Sequence, residues 1–268
     1  MSIWFTFLYQ PLVNVLLFLY QAVGGNLGLA IILITVLIRL ALILLTLPGM
    51  KSAQKMHDLK PELDKLKKKH KNDKQALAQA QLELYRQYNL NPLSGLLPMV
   101  VQFVVLIALF QVLNNVIEPA NGVSGLNEVL YPFVRLPSDT TLNTWFIYRH
   151  VTEPDVIRLP FSINLGLFSI NTIPGVFLIG AALMQFISSK MMVPKAVLTQ
   201  NNDKAGEEAM ATAMQKQMTY FMPLMTIFIG LRFDFGLVLY WITFSAMMII
   251  QQLYFKKKTL LQDKTLTQ

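Results

Sequence analysis

"LITVLIRLALILL", Leu33 to Leu45, sets a permanently charged guanidinium, Arg39, in a run that is aliphatic apart from Thr35. Extended to Leu27–Leu47, the run has the length that a helix needs to cross a bilayer, about 17–25 residues. Arg39 stands eight residues before Leu47, the expected cytoplasmic end of the run. At 1.5 Å per residue that is a depth of about 12 Å, too far for an easy reach to the headgroups. A charge at such a depth costs about 2.5–3.5 kcal/mol on insertion scales. Something has to answer it.

The rest of the chain reads as membrane protein too. Of its 268 residues 54% are apolar and 14% charged, where a soluble domain carries about 25% charged residues. Four further apolar stretches are expected to span: about Leu93–Val116, Ile170–Met192, Gln217–Leu231 and Gly236–Phe255. Trp4–Val23 is a sixth candidate. In it Gln10, Asn14 and Gln21 recur at helical spacing, Pro11 falls in the first turn, and Trp4, Tyr9 and Tyr20 offer interface anchors. That pattern favours a helix lying in the headgroup region over a sixth span. The fold class expected is therefore an all-α integral membrane protein with a five-span core.

The absence of cysteine excludes disulfides, thiolate metal sites and a lipid-modifiable Cys. No charged region precedes the apolar start, so a cleaved signal peptide is not expected. The net charge of +8 is distributed unevenly. Residues 51–86 carry ten basic side chains, residues 190–216 four and the tail beyond Phe255 four, so 18 of the 23 lie on one side. The opposite loop, residues 117–169, has only Arg135, Arg149 and Arg158. The positive-inside rule then puts the 51–89 segment, the 193–216 loop and the 256–268 tail in the cytoplasm, with the N-terminus outside. The basic excess is mainly a topology signal, although such a surface could also touch anionic lipid or ribosomal RNA.

Between the first two spans, Met56, Leu59, Leu63 and Leu66 recur at helical spacing, as do Leu77, Ala80, Leu84 and Tyr88. "KHKND" supplies a turn with Asp73 as N-cap, so a helical hairpin is expected over 51–89, its start continuing the first span up to a break at Pro61. It is either a solvated spacer or an arm that engages partners. The 117–169 loop, punctuated by Pro119, Pro132, Pro137, Pro154 and Pro160, is expected to be irregular, with short interfacial helices around "TWFIY".

No acid stands at the depth of Arg39. Asp234, in "LRFDFGL", falls in the turn between the last two spans, and the remaining acids lie in loops, hairpin or tail. Water in a polar cavity between helices is the remaining answer. Thr35 lies one turn from Arg39, and Gln102, Gln111, Asn114, Gln185, Ser188 and Ser189 are polar groups within spans. Each taken singly is more ordinarily an interhelical hydrogen bond. His57, His70 and His150 all lie outside the spans, and no nucleophile, zinc or nucleotide motif occurs. No catalytic residue, metal or cofactor is expected. A wet cavity holding one cation instead lowers the cost of bringing polar peptide into the membrane.

At this point the chain resembles the YidC-type membrane protein insertases of the Oxa superfamily. The likeness rests on an ordered set: "YQPLVNVL", "IILITVLIRLALILL", "LKPELDKLKKKHKNDK", "LYRQYNLNPLSGLLPMVVQ", "KQMTYFMPLM" and "GLVLYWITFSAMMIIQQLYF". Leu96, Val104 and Asp234 depart from the family pattern, which commonly has Cys, Pro and Pro there. The resemblance implies a minimal form, without a large outer domain, in a prokaryotic cell membrane. It implies a hydrophilic groove open to cytoplasm and lipid, with Arg39 as its positive centre. Thr35, Gln102 and Gln185 would line polar walls, and Tyr240 and Trp241 would offer an amphipathic contact surface. It implies nascent membrane proteins as substrates in the lipid bilayer, leaves the ribosome and a Sec-type translocation channel open as partners, and gives no role to DNA.

Two rivals are weighed against an insertase and chaperone. One is an anion or peptide transporter in which Arg39 binds substrate; the lack of internal repeats and of a second buried charge speaks against it. The other is a structural subunit whose hairpin docks a partner.

Overall fold

The computed structural model describes residues 2–71, 73–90, 97–117, 122–164, 169–192 and 207–266. Leu96 and most of the 193–216 loop lie outside them, as does the side chain of Gln102. Nine α-helices are described: α1 (Gln10–Ala22), α2 (Leu27–Asp58), α3 (Lys60–Lys69), α4 (Lys74–Gln87), α5 (Leu97–Ile117), α6 (Gly122–Val129), α7 (Val176–Met192), α8 (Glu207–Gly230) and α9 (Phe235–Leu266). A π-helical turn, Phe5–Tyr9, leads into α1. Among the described residues three segments are long and apolar enough to cross a membrane: Phe5–Ala22, Leu27–Leu44 and Phe235–Phe255. Phe103–Val116, Val176–Met191 and Thr219–Gly230 are shorter apolar helices.

The protein is mostly helical, consistent with an all-α membrane protein, and its described strands are confined to one loop. Between α6 and α7 lie two antiparallel hairpins, β1 (Trp145–Phe146) with β2 (Arg149–His150), and β3 (Val156–Asn164) with β4 (Ser169–Pro174). "TWFIY" is thus a strand and turn, not an interfacial helix. The stretch expected to span from Ile170 opens as strand, and its helix starts only at Val176. Pro160 is tolerated because both strands of a two-stranded sheet are edges, and the register slips between Arg158 and Ile163.

The chain divides into two compact units. One comprises Ile38–Ala108 and contains the hairpin. In it α2 passes through Pro48 and ends at Asp58, and α3 starts with Pro61 in its first turn, where a missing N–H costs nothing. Asp73 accepts from the Ala76 N–H at 2.9 Å, capping α4. Leu59 and Leu84 are buried, and Leu63, Leu66, Leu77 and Ala80 half-buried. Tyr88 leaves the seam and donates to Glu62 Oε1 at 2.9 Å.

The other unit comprises Met1–Leu37 and Leu109–Gln268. Here α1 lies along the segment that follows α6. Gln10 Nε2 and Asn14 Nδ2 donate to Val129 O, Asn14 Oδ1 accepts from Tyr131 N–H, and Gln21 Nε2 donates to Val134 O. The polar row of α1 therefore meets the chain's own backbone rather than headgroups. Tyr9 and Tyr20 are buried and bonded to Asn115 and Asn143, so they are not interface anchors.

Residues 151–155 close two helix starts at once. Val151 O and Glu153 O accept from the N–H groups of Gly236 and Phe235, at 2.9 and 2.8 Å. Asp155, fully buried, accepts from the Leu178 N–H at 2.7 Å and from the Tyr148 hydroxyl. These bonds satisfy first-turn donors that an α-helix leaves unpaired. Phe146, Tyr148, Phe177 and Phe235 stack around them, with centroids 5.0–6.3 Å apart. Gly28 faces the Phe146 ring and Gly175 the Asp155 carboxylate so closely that neither has room for a Cβ.

Candidate functional site

Two opposed rows on α2 place the arginine. Leu27, Ile31, Thr35 and Arg39, spaced by four, are buried, Arg39 to 5% exposure. Leu29, Leu33, Leu37, Leu40 and Leu44 stand exposed on the other side, Leu44 at 79%. A water-soluble helix shows the reverse arrangement, so the bare leucine row is a face made for lipid. Thr35 turns its hydroxyl back onto its own helix, donating to Ile31 O at 2.6 Å, and so needs no partner on another helix.

A second polar region lies where α7 packs against both α8 and α9. Gln185, half-buried, accepts through Oε1 from the Thr226 hydroxyl. Ser188 donates to Gln185 O at 2.9 Å, and Gln252 Nε2 donates to Ser188 O at 3.3 Å. Thr219, Ser245 and Gln251 are also buried here or nearby along α8 and α9. Gln251 is 6% exposed, and neither atom of its amide has a hydrogen-bond partner among the described residues. An amide left so in an apolar surrounding costs about 1–3 kcal/mol. Along α8 the buried positions Thr219, Pro223, Thr226 and Gly230 are small or hydroxylated, while Phe221, Leu224 and Phe228 face outward.

Comparison with known proteins decides the family. Residues 18–262 match the model of the 60Kd inner membrane protein family. A membrane protein insertase YidC of Fusobacterium nucleatum is 34% identical over 94% of this chain and 98% of its own length. One from Clostridium tetani is 30% identical over 86% and 81%. One from Nitratidesulfovibrio vulgaris is 32% identical over 95% of this chain but only 39% of its own length. The chain belongs to the YidC insertase family. It spans nearly the whole of the Fusobacterium relative and well under half of the Nitratidesulfovibrio one.

In this family member the sequence-designated site residues fall into two sets. Arg39 and Gln102 belong to the unit Ile38–Ala108; Thr35, Gln185, Tyr240 and Trp241 belong to the other. Tyr240 is buried at 1% exposure and Trp241 half-buried, so only Trp241 offers surface to a passing helix. Thr219, Thr226, Ser245, Gln251 and Gln252 were missed. Their signal was present in "QQ" near the end of an apolar run and in hydroxyls recurring at 219 and 226, but each is unremarkable alone.

Proposed function

We propose that the chain is an insertase and chaperone for small or short-tailed membrane proteins, with Arg39 as the positive centre of a hydrophilic groove. The observation that carries the proposal is the burial of Arg39 on a helix whose opposite face is bare leucine. A buried charge on a lipid-facing helix is expensive and marks a functional path. Arg39 attracts an acidic tail and holds water for it, and Thr35, Gln102 and Gln185 are proposed as further polar contacts for the substrate, each within its own unit. The apolar segment of the substrate then partitions into lipid across Trp241 and the exposed leucines. Each apolar residue contributes roughly 0.3–0.6 kcal/mol at mid-membrane, so no nucleotide is required. The membrane potential adds about 2.3 kcal/mol per charge per 100 mV for acidic tails.

In the same proposal the N-terminus is outside, and the hairpin and the tail after α9 are cytoplasmic. The helix α1 lies at the outer interface: Gln10 and Gln21, at its two ends, both bond to residues 129–134, which a spanning helix could meet at only one end. Nascent chains are the substrates, and the basic surface is the one that would face a ribosome or a Sec-type channel.

The test is insertion of a single-span protein with a short acidic N-terminal tail into liposomes holding wild type or Arg39→Ala, scored by protease protection. Insertion that falls at least about tenfold in Arg39→Ala supports the proposal, being the loss of one charge-assisted contact. Equal insertion by both makes Arg39 structural. No insertion by either folded protein sinks the insertase reading in favour of a structural subunit.

A further inference from the structure

Beside the π-helical turn, and apart from both polar regions above, lies an open cleft of about 430 Å³. Trp4, Phe5, Tyr9, Gln111, Asn115 and Glu128 supply most of its wall. Phe5 and Tyr9 stack with centroids 5.4 Å apart. Trp4 Nε1 donates to Gln111 Oε1 at 2.7 Å, and Asn115 Nδ2 donates to Tyr9 Oη at 2.9 Å. Those two bonds hold the Trp4 and Tyr9 rings in place and use the indole N–H and one amide N–H. Among the described residues Glu128 is the only charged one lining the cleft, and no Lys or Arg joins it.

We infer that this cleft is a binding site for the primary ammonium of a lipid headgroup. A carboxylate, amide oxygens and three aromatic rings together suit a cation that can donate hydrogen bonds. A bare phosphate finds no countercharge among the described lining residues and is repelled by Glu128, and a glycerol headgroup brings no cation for the carboxylate and rings to hold. The surroundings fit a lipid rather than a free amine: Ile3 and Phe7, in the same segment, are 81% and 74% exposed and offer acyl chains an apolar surface. The site needs only that this end of the chain meets a bilayer interface. It does not rest on the insertase reading, and lipid retention is measured without substrate, so the two can fail separately.

The experiment is native mass spectrometry of the full chain in detergent, titrated with phosphatidylethanolamine, phosphatidylglycerol or phosphatidylcholine of identical acyl chains. Wild type is expected to retain the ethanolamine lipid about tenfold more tightly than the glycerol lipid, the ratio an exposed cation–π contact and one charge-assisted hydrogen bond supply together. In Glu128→Gln, and independently in Trp4→Leu, the preference falls to about twofold or less. Melting temperatures within about 2 °C of wild type, the span of a sub-kcal/mol change, show that each variant is folded. No preference in wild type, or one that survives both substitutions, overturns the site. Choline lipid held as tightly as ethanolamine lipid overturns the primary-ammonium assignment.

Discussion

The two ends of α7 are built on opposite terms. At its start the packing is close and paired: Asp155 takes the Leu178 N–H and the Tyr148 hydroxyl, four aromatic rings close around it, and Gly175 leaves no room for a methyl group. Toward its end, polar side chains are buried in a looser arrangement, with Gln185, Ser188 and Gln252 in a chain of bonds and the Gln251 amide unanswered among the described residues. One end is finished as a protein core is; the other buries an amide with no partner among the described residues. A rigid anchor beside an adaptable polar seam suits a protein that must admit changing segments without coming apart.

The comparison breaks most visibly at Gly175. Gly175→Ala drives a methyl group into the Asp155 carboxylate and should destabilise the protein by about 3 kcal/mol. Chemical denaturation in detergent micelles would show it as a lowered midpoint, and an unchanged midpoint would mean the anchor yields. Asp155→Asn keeps the shape but weakens both bonds, and about 2 kcal/mol should be lost in the same assay.

Tyr148 sharpens the contrast through pH. Burial, reinforced by the bond to Asp155, pushes its hydroxyl up to about 12, against 10.0 for a free tyrosine. The folded state therefore keeps its proton longer than the unfolded state between about pH 10 and 12, and stability must fall as pH rises through that window. Tyr148→Phe should be less stable near neutrality yet lose this part of the alkaline decline, which melting temperatures from pH 8 to 12 would reveal.

Gln251→Leu should have the smallest effect on stability and the opposite sign. Replacing an unanswered buried amide by an apolar group of similar size is neutral or stabilising by up to about 1 kcal/mol. A loss as large as that of Asp155→Asn, in the same denaturation series, would show that the two ends are not different in kind.

Much of this was legible in the sequence. Arg39 and Thr35 fall on one row because four residues make about one turn, and the Asp73 cap follows from its place before a periodic run. The β-hairpins were not legible. The turn of the first passes through Ile147 at φ 57°, a left-handed conformation that a β-branched residue rarely adopts, so no turn signal exists for a reader to find. Pro160 of β3 signalled an irregular loop because its tolerance depends on both strands being edges. The Gln185–Thr226 bond joins residues 41 apart, and only packing brings them together.

The exposed leucines of α2 carry one more consequence. In water such a row would glue copies together, because covering it would release ordered solvent. In lipid, acyl chains cover it as well as any helix could, and nothing is gained by exchanging one for the other. Under the proposed function, such a surface would guide a substrate without gripping it, and no separate step would be needed to let go.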